Sequence, residues 1–309
     1  VTGVIENFQH TKGHYPVMLP EVLAALNPQD GQVIVDGTFG GGSYSRAILE
    51  CANCKVIGLD RDKSAIERGN EIAKNYDGRL SLIQTQFGEI ANLELGEIDA
   101  VVLDIGVSSY QIDQAERGFS FNKDGPLDMR MGDGETAAEV LATRSEAEIA
   151  KIFWDYGEEK NSRRIARAIV NDRDEKPFVS TLQLAGLCER VYGHKKEKIH
   201  PATRVFQALR IYVNDELGEL ERALDGAYKI LKPNGRIVIV TFHSLEDRIV
   251  KNFFNERAKI SQGSRFAPVL EEIKPTLELL YRKPVIASDK EISENPRSRS
   301  AKLRAVIKL

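Results

Sequence analysis

Five short runs of almost unbroken Val, Ile and Leu constrain this chain more than any other feature: residues 33–35, 56–59, 80–83, 100–103 and, after a long interval, 236–240. Strands that show no polar alternation are buried on both faces, and strands separated by helix-like stretches belong to a parallel sheet. The expected fold class is α/β, a doubly wound, mostly parallel sheet. Ligands of such sheets bind beyond the carboxyl ends of the strands. The residues to inspect there are Asp36, Asp60, Phe87, Asp104 and His243. Two further strands are expected in the tail, at 277–281 and 303–307, and Pro20 suits the first turn of a short helix outside the sheet.

The interval between the fourth and fifth runs breaks the pattern. It opens on Arg117-Gly118-Phe119-Ser120-Phe121-Asn122-Lys123-Asp124-Gly125-Pro126-Leu127-Asp128-Met129-Arg130-Met131, too long for a plain connection and of the kind that carries function. Capping boxes follow at Ser145 with Glu148 and at Ser180 with Gln183, each ahead of a helical apolar period. This reads as an inserted helical subdomain over 112–200, within a main domain made of 1–111 and 201–309. The 309 residues allow about two domain-sized units. From Pro201, one long periodic stretch, Val205 to Leu231, is expected to bring the chain back to the sheet.

No apolar run reaches membrane-spanning length, and the first residues lack a signal-peptide pattern, so a cytoplasmic protein without membrane partners is expected. Three cysteines agree with a reducing compartment. Cys51-Ala52-Asn53-Cys54 has redox or zinc spacing, but no second Cys or His pair accompanies it, so no metal site is expected. A net charge of −3 means that any nucleic-acid contact must be a local basic patch.

The first run ends in Asp36-Gly37-Thr38-Phe39-Gly40-Gly41-Gly42-Ser43-Tyr44-Ser45, a glycine turn before a helix. A dinucleotide fingerprint would place a third glycine at Ser45, and a phosphate loop would continue into lysine; neither pattern is present. The acid-x-(Gly or Thr)-x-Gly-x-Gly turn of methyltransferases fits Asp36 to Gly42, with Gly40 at its centre. Asp36 would repel a pyrophosphate yet suits the ammonium and sulfonium of S-adenosylmethionine. The alternative for Asp36 is an ordinary turn or capping carboxylate. Asp60, 20 residues after Gly40, suits ribose hydroxyls in either cofactor class.

At Leu103-Asp104-Ile105-Gly106-Val107-Ser108-Ser109-Tyr110-Gln111 the chain resembles the bacterial ribosomal RNA small subunit methyltransferase H family, which methylates N4 of a cytidine in the decoding region of small-subunit ribosomal RNA. Matching segments include Ala115-Glu116-Arg117-Gly118-Phe119-Ser120-Phe121, Tyr156-Gly157-Glu158-Glu159, His200-Pro201-Ala202-Thr203-Arg204, Phe242-His243-Ser244-Leu245-Glu246-Asp247-Arg248 and Asn295-Pro296-Arg297-Ser298-Arg299-Ser300. They span nearly the whole chain in the family's order. The resemblance implies a class I S-adenosylmethionine-dependent methyltransferase fold, with donor contacts at Gly42, Ser43, Tyr44, Asp60, Phe87, Asp104 and Gln111. Two departures stand out: the family commonly has Gly-Gly-His where this chain has Gly42-Ser43-Tyr44, and a proline is common at Tyr110.

An exocyclic amine is a poor nucleophile, so hydrogen-bond acceptors facing its N–H groups are the chemistry to look for. The usual Asp/Asn-Pro-Pro-aromatic tetrapeptide is missing. Asp104 with nearby backbone carbonyls is expected to face the amine, assisted by Ser108 or Ser109, and His243 is a candidate substrate contact. Ser244 with Asp247 reads as a capping box. Phe119, Phe121 and Tyr110 are candidates to stack on a splayed base or, equally, to anchor their loop. Arg163, Arg164 and Arg167 on one helix side, with Arg204, His194-Lys195-Lys196 and Arg297-Ser298-Arg299, are candidate RNA contacts. The expected partner is small-subunit ribosomal RNA or the assembled small subunit; a homodimer is allowed. The competing readings are a methyltransferase of the same fold acting on a small molecule or protein, and an RNA-binding assembly factor without catalysis.

Overall fold

A computed structural model describes residues 16–106, 112–193, 199–259 and 274–309. The chain divides into two compact units, residues 1–106 with 217–309, and residues 107–216.

The first unit is an α/β sheet of eight strands in the order β3-β2-β1-β4-β5-β8-β6, with β7 paired to β8. Strands β1 (Val33–Asp36), β2 (Lys55–Asp60), β3 (Leu80–Gln84), β4 (Ile98–Asp104) and β5 (Leu231–Thr241) run parallel. The tail supplies β6 (Leu277–Leu279), β7 (Val285–Ile286) and β8 (Lys302–Lys308), each antiparallel to its neighbour. The unbroken apolar runs have a direct cause: successive residues enter different cores. Ile34, Val102, Val238 and Val240 pack on one face of the sheet. Val35, Val101, Leu103, Ile237 and Ile239 pack on the other.

Strand order reverses between β1 and β4, and Asp36 lies opposite Val102, so the carboxyl ends of these strands meet at Asp36 and Asp104. Such a switch point is where a doubly wound sheet opens a crevice. The helices of this unit are α1 (Leu19–Leu26), α2 (Ser43–Cys51), α3 (Lys63–Ala73), α9 (Glu216–Ile230), α10 (Ser244–Ala258) and α11 (Asp289–Glu294).

The second unit holds α4 (Ala137–Thr143), α5 (Glu146–Gly157), α6 (Ser162–Arg173), α7 (Thr181–Tyr192) and α8 (Thr203–Asn214) around its own core of Phe153, Ile165, Leu184, Val205 and Leu209. The capping boxes at Ser145/Glu148 and Ser180/Gln183 start α5 and α7. The boundary differs from the sequence expectation of 200. The periodic stretch from Val205 to Leu231 is two helices, broken where Asp215 takes a left-handed φ of 48°. Its first half packs on α5: a methyl at Gly157 would stand 2.5 Å from the Arg204 carbonyl oxygen.

Candidate active site

The turn after β1 is built from within. Asp36 is fully buried; its Oδ1 accepts from the Thr38 amide at 3.2 Å and its Oδ2 from the Ser45 hydroxyl at 2.7 Å. Burial pushes its carboxyl up to about 6. The structure therefore favours the turn-carboxylate alternative: Asp36 braces the loop from beneath and offers no open face to a cationic ligand. Thr38 Oγ1 in turn accepts from the Asp104 amide at 2.7 Å, tying the turn to the end of β4.

Phe39 is the hidden anchor. A Cβ at Gly42, Gly58 or Gly69 would lie 2.6, 2.6 or 2.7 Å from its ring, so three glycines distant in sequence make room for one side chain. Gly42 also has φ 74° as the residue before α2, where it provides no side-chain cap. The first amides of α2, at Ser43 and Tyr44, thus begin at a bare glycine, the arrangement that receives a carboxylate or other electron-rich group. The Tyr44 ring itself is buried, and its hydroxyl donates to the Val17 carbonyl. Its backbone, rather than its ring, is at the turn.

Asp60 ends β2 and accepts from the Gly40 amide and the Asp62 amide, both at 2.8 Å, which fixes Gly40 at φ 52°. Each carboxylate oxygen keeps a second lone pair for a ligand hydroxyl. Phe87 is half-buried at the start of a 3-10 turn. Behind it stands Glu219 of α9, a residue the sequence reading missed. Its side chain is 2% exposed, lies 3.5 Å from Arg61 Nη1, and reaches the amides of Phe87 and Gly88. A methyl on Gly88 would stand 3.0 Å from Glu219 Cγ. Glu219 so braces the Phe87 turn and the residue next to Asp60 together. Glu219→Ala is expected to raise the KM for a ligand of this crevice about tenfold, the loss of one charge-assisted hydrogen bond, with kcat nearly unchanged. Steady-state kinetics with varied donor check this; an unaltered KM removes the positioning role.

Asp104 is the most unusual group of the unit. Its Oδ1 is inaccessible to solvent and has no hydrogen-bond partner. Burial, then the charges of Asp36 and Glu246, push its carboxyl up to about 8. Glu246, another residue not singled out from the sequence, is fully buried at the start of α10. Its Oε2 accepts from the amides of Phe242 at 2.8 Å and His243 at 3.2 Å. The capping box here is His243 with Glu246, one residue before the expected Ser244 with Asp247. His243 Nδ1 accepts from the Glu246 amide at 3.4 Å, which leaves the neutral ring's proton on Nε2. That nitrogen is 2.8 Å from Glu246 Oε1 but not aligned for a hydrogen bond. Asp247 instead binds Arg304 at 2.7 Å and Lys302 at 3.1 Å on β8.

Within the second unit, Phe121 stacks on His200 with centroids 4.5 Å apart and meets Phe206 edge-on, so it anchors its loop. Phe119 packs against the same core under Arg117. Arg163 is exposed. Arg164 donates to the Val191 carbonyl at 2.9 Å, and Arg167 pairs with Glu146 at 3.3 Å. Arg204 is half-buried near Tyr192. Ser108, Ser109, Tyr110, Gln111 and His194-Lys195-Lys196 lie outside the described residues.

Comparison with known proteins gives a consistent picture. The sequence profile of the MraW methylase family matches residues 11–309. Ribosomal RNA small subunit methyltransferase H of Rhodopseudomonas palustris strain BisA53 is 54% identical over 297 residues, covering 94% of this chain and 90% of its own. The protein of that description from Rhizobium johnstonii is 57% identical over 295 residues, with 94% and 86% covered. Among solved structures, an rRNA methylase from Streptococcus thermophilus aligns at 10% identity and a TM-score of 0.41, over 94% of this chain and 93% of its own.

Proposed function

The chain belongs to the MraW methylase family, and on that premise we propose that it transfers a methyl group from S-adenosylmethionine to N4 of a cytidine in the decoding region of small-subunit ribosomal RNA. The observation that carries this reading is the unpartnered Asp104 Oδ1 at the switch point, next to a glycine turn that ends in bare helix amides. The donor, when bound, supplies an electrophilic methyl on a sulfonium centre.

The residues fit that donor. The Ser43 and Tyr44 amides suit its carboxylate end, Asp60 its ribose hydroxyls, and Phe87 its adenine face. Asp104, with its amide held by Thr38, accepts an N4 proton of the base, which favours a pyramidal nitrogen and takes up positive charge as it develops. Holding nucleophile and acceptor in line contributes the rest of the rate through positioning. On the substrate side, Arg163 and Arg204 contact phosphate, and the base is drawn out of its stack.

The test is methyl transfer from labelled donor to unmethylated small ribosomal subunits, followed by digestion to nucleosides. Label in N4-methylcytidine is expected. Label in another nucleoside, or only in protein or small molecules, overturns the reading, and donor binding without any transfer turns it to an assembly factor.

A further inference from the structure

The chain's single tryptophan, Trp154, is 59% exposed on α5, while its neighbours Ile152 and Phe153 are buried in the core of the second unit. The helix has already spent its apolar face on that core, so the indole serves no packing role. It borders a groove of about 860 Å³ between α5 and the start of α6. Ala147 and Ala150, seven and four residues before Trp154, lie on the same helix face and line the groove with small side chains. A flat aromatic beside a shallow trough of alanines has the shape of a stacking platform.

The charges around it are not balanced. The groove is lined by Lys151, Lys160, Arg163 and Arg164 against Glu146 and Asp155. Lys151 is bound to Asp155, and Glu146 to Arg167. Arg164 is turned to Asn161 and the Val191 carbonyl. Among the described residues Lys160 and Arg163 make no ion pair and are exposed, so the rim keeps two unneutralised cations beside the indole.

The geometry points to a binding site for an unpaired stretch of RNA, one base stacked on Trp154 and the adjoining phosphates on Lys160 and Arg163. Single-stranded nucleic acid is the polymer that offers a π face and a negative charge at every repeat, and aromatic stacking with flanking cations holds it without reading sequence. An apolar protein surface would leave both cations without a partner. The inference deepens the methylation reading and rests on it for the identity of the RNA. The groove lies outside the residues that reading uses for donor and amine.

Because Trp154 is the only tryptophan, its emission reports on this groove alone. The full chain is titrated with an unstructured pyrimidine oligoribonucleotide at low salt. Saturable quenching is expected, with a salt slope lowered by about two ions in the Lys160→Ala, Arg163→Ala double variant. In small-subunit methylation, Trp154→Ala is expected to raise the KM for subunits about tenfold with kcat spared, and Trp154→Phe to restore most of it. Emission unchanged across the titration, with a Trp154→Ala KM equal to wild type, overturns the site. Emission that changes with protein concentration alone also overturns it and assigns the groove to contact between copies of this chain. Quenching by RNA in a protein that methylates no subunit leaves the site standing and removes the methylation reading instead.

Discussion

Asp104→Ala is expected to lower turnover by about 10²- to 10³-fold, the range for removing one preorganised hydrogen-bonding group from a reacting centre. Asp104→Asn should fall nearly as far. It keeps an oxygen acceptor but loses the charge that stabilises a developing ammonium. The environment of Asp104 adds a pH signature. Its carboxyl is held up to about 8 by burial and by Asp36 and Glu246, and only the ionised form accepts a proton. In the free enzyme kcat/KM should therefore rise with pH and level off near 8, reporting the essential base. The profile should flatten in Asp104→Asn, and its midpoint should move to lower pH in Glu246→Gln, where one of the like charges is gone. Single-turnover rates across pH measure all three. An Asp104→Ala enzyme with undiminished turnover ends the proposed role.

Gly125→Ala is expected to unfold the second unit or cost it on the order of 4 kcal/mol, at the extreme of single-substitution effects. A Cβ there would stand 1.9 Å from the Ala115 carbonyl oxygen and 2.8 Å from its carbon, both backbone atoms that no rotamer change can move. Nor can the loop slide away. Gly125 donates to Thr181 Oγ1 at 3.1 Å and accepts from the Thr181 amide at 2.9 Å, and Leu127 donates to the Val179 carbonyl at 2.9 Å. Leu127 and Met129 beyond it are fully buried. Urea unfolding followed at Trp154 reads this unit specifically. Gly186→Ala, on an open face of α7 where an added methyl meets nothing within 4 Å, is the control and should stabilise by up to about 1 kcal/mol. Equal midpoints for Gly125→Ala and wild type would show that the loop yields.

These two sites also mark what the sequence makes legible. Asp104 was visible because it ends a strand buried on both faces, and in a parallel sheet that position alone directs a side chain to the ligand crevice. The loop around Gly125 was visible as unusual, but its composition does not separate a loop that binds from a loop that packs; its backbone ties to Val179 and Thr181 decide for packing. Phe39, Glu219 and Glu246 were illegible for a common reason. Each acts on residues far along the chain: Phe39 on Gly58 and Gly69, Glu219 on Phe87 and Arg61, Glu246 on Asp104. One local sign was available for Phe39, since Gly69 stands inside α3, where a glycine is costly unless another group approaches closely. The shift of the cap from Ser244 to His243 has a different cause. Both pairs have the same three-residue spacing, and what separates them is the pull of Arg304 and Lys302 on Asp247 from β8.

The adjacency of β4 and β5 governs how the protein is made. These parallel neighbours are separated by about 125 residues, the whole second unit and α9 among them. On a translating ribosome β3, β2, β1 and β4 emerge first, and β4 then waits with an unpaired edge on the order of ten seconds before its partner is synthesised. An edge of Val101, Val102 and Leu103 left bare for that time is a template for the wrong strand. Early folding of the insertion, whose core is its own, would shorten the loop that β5 must close and so lower the entropic barrier to completing the sheet. The helical unit then acts, during synthesis, as an internal timing device for the sheet that encloses it.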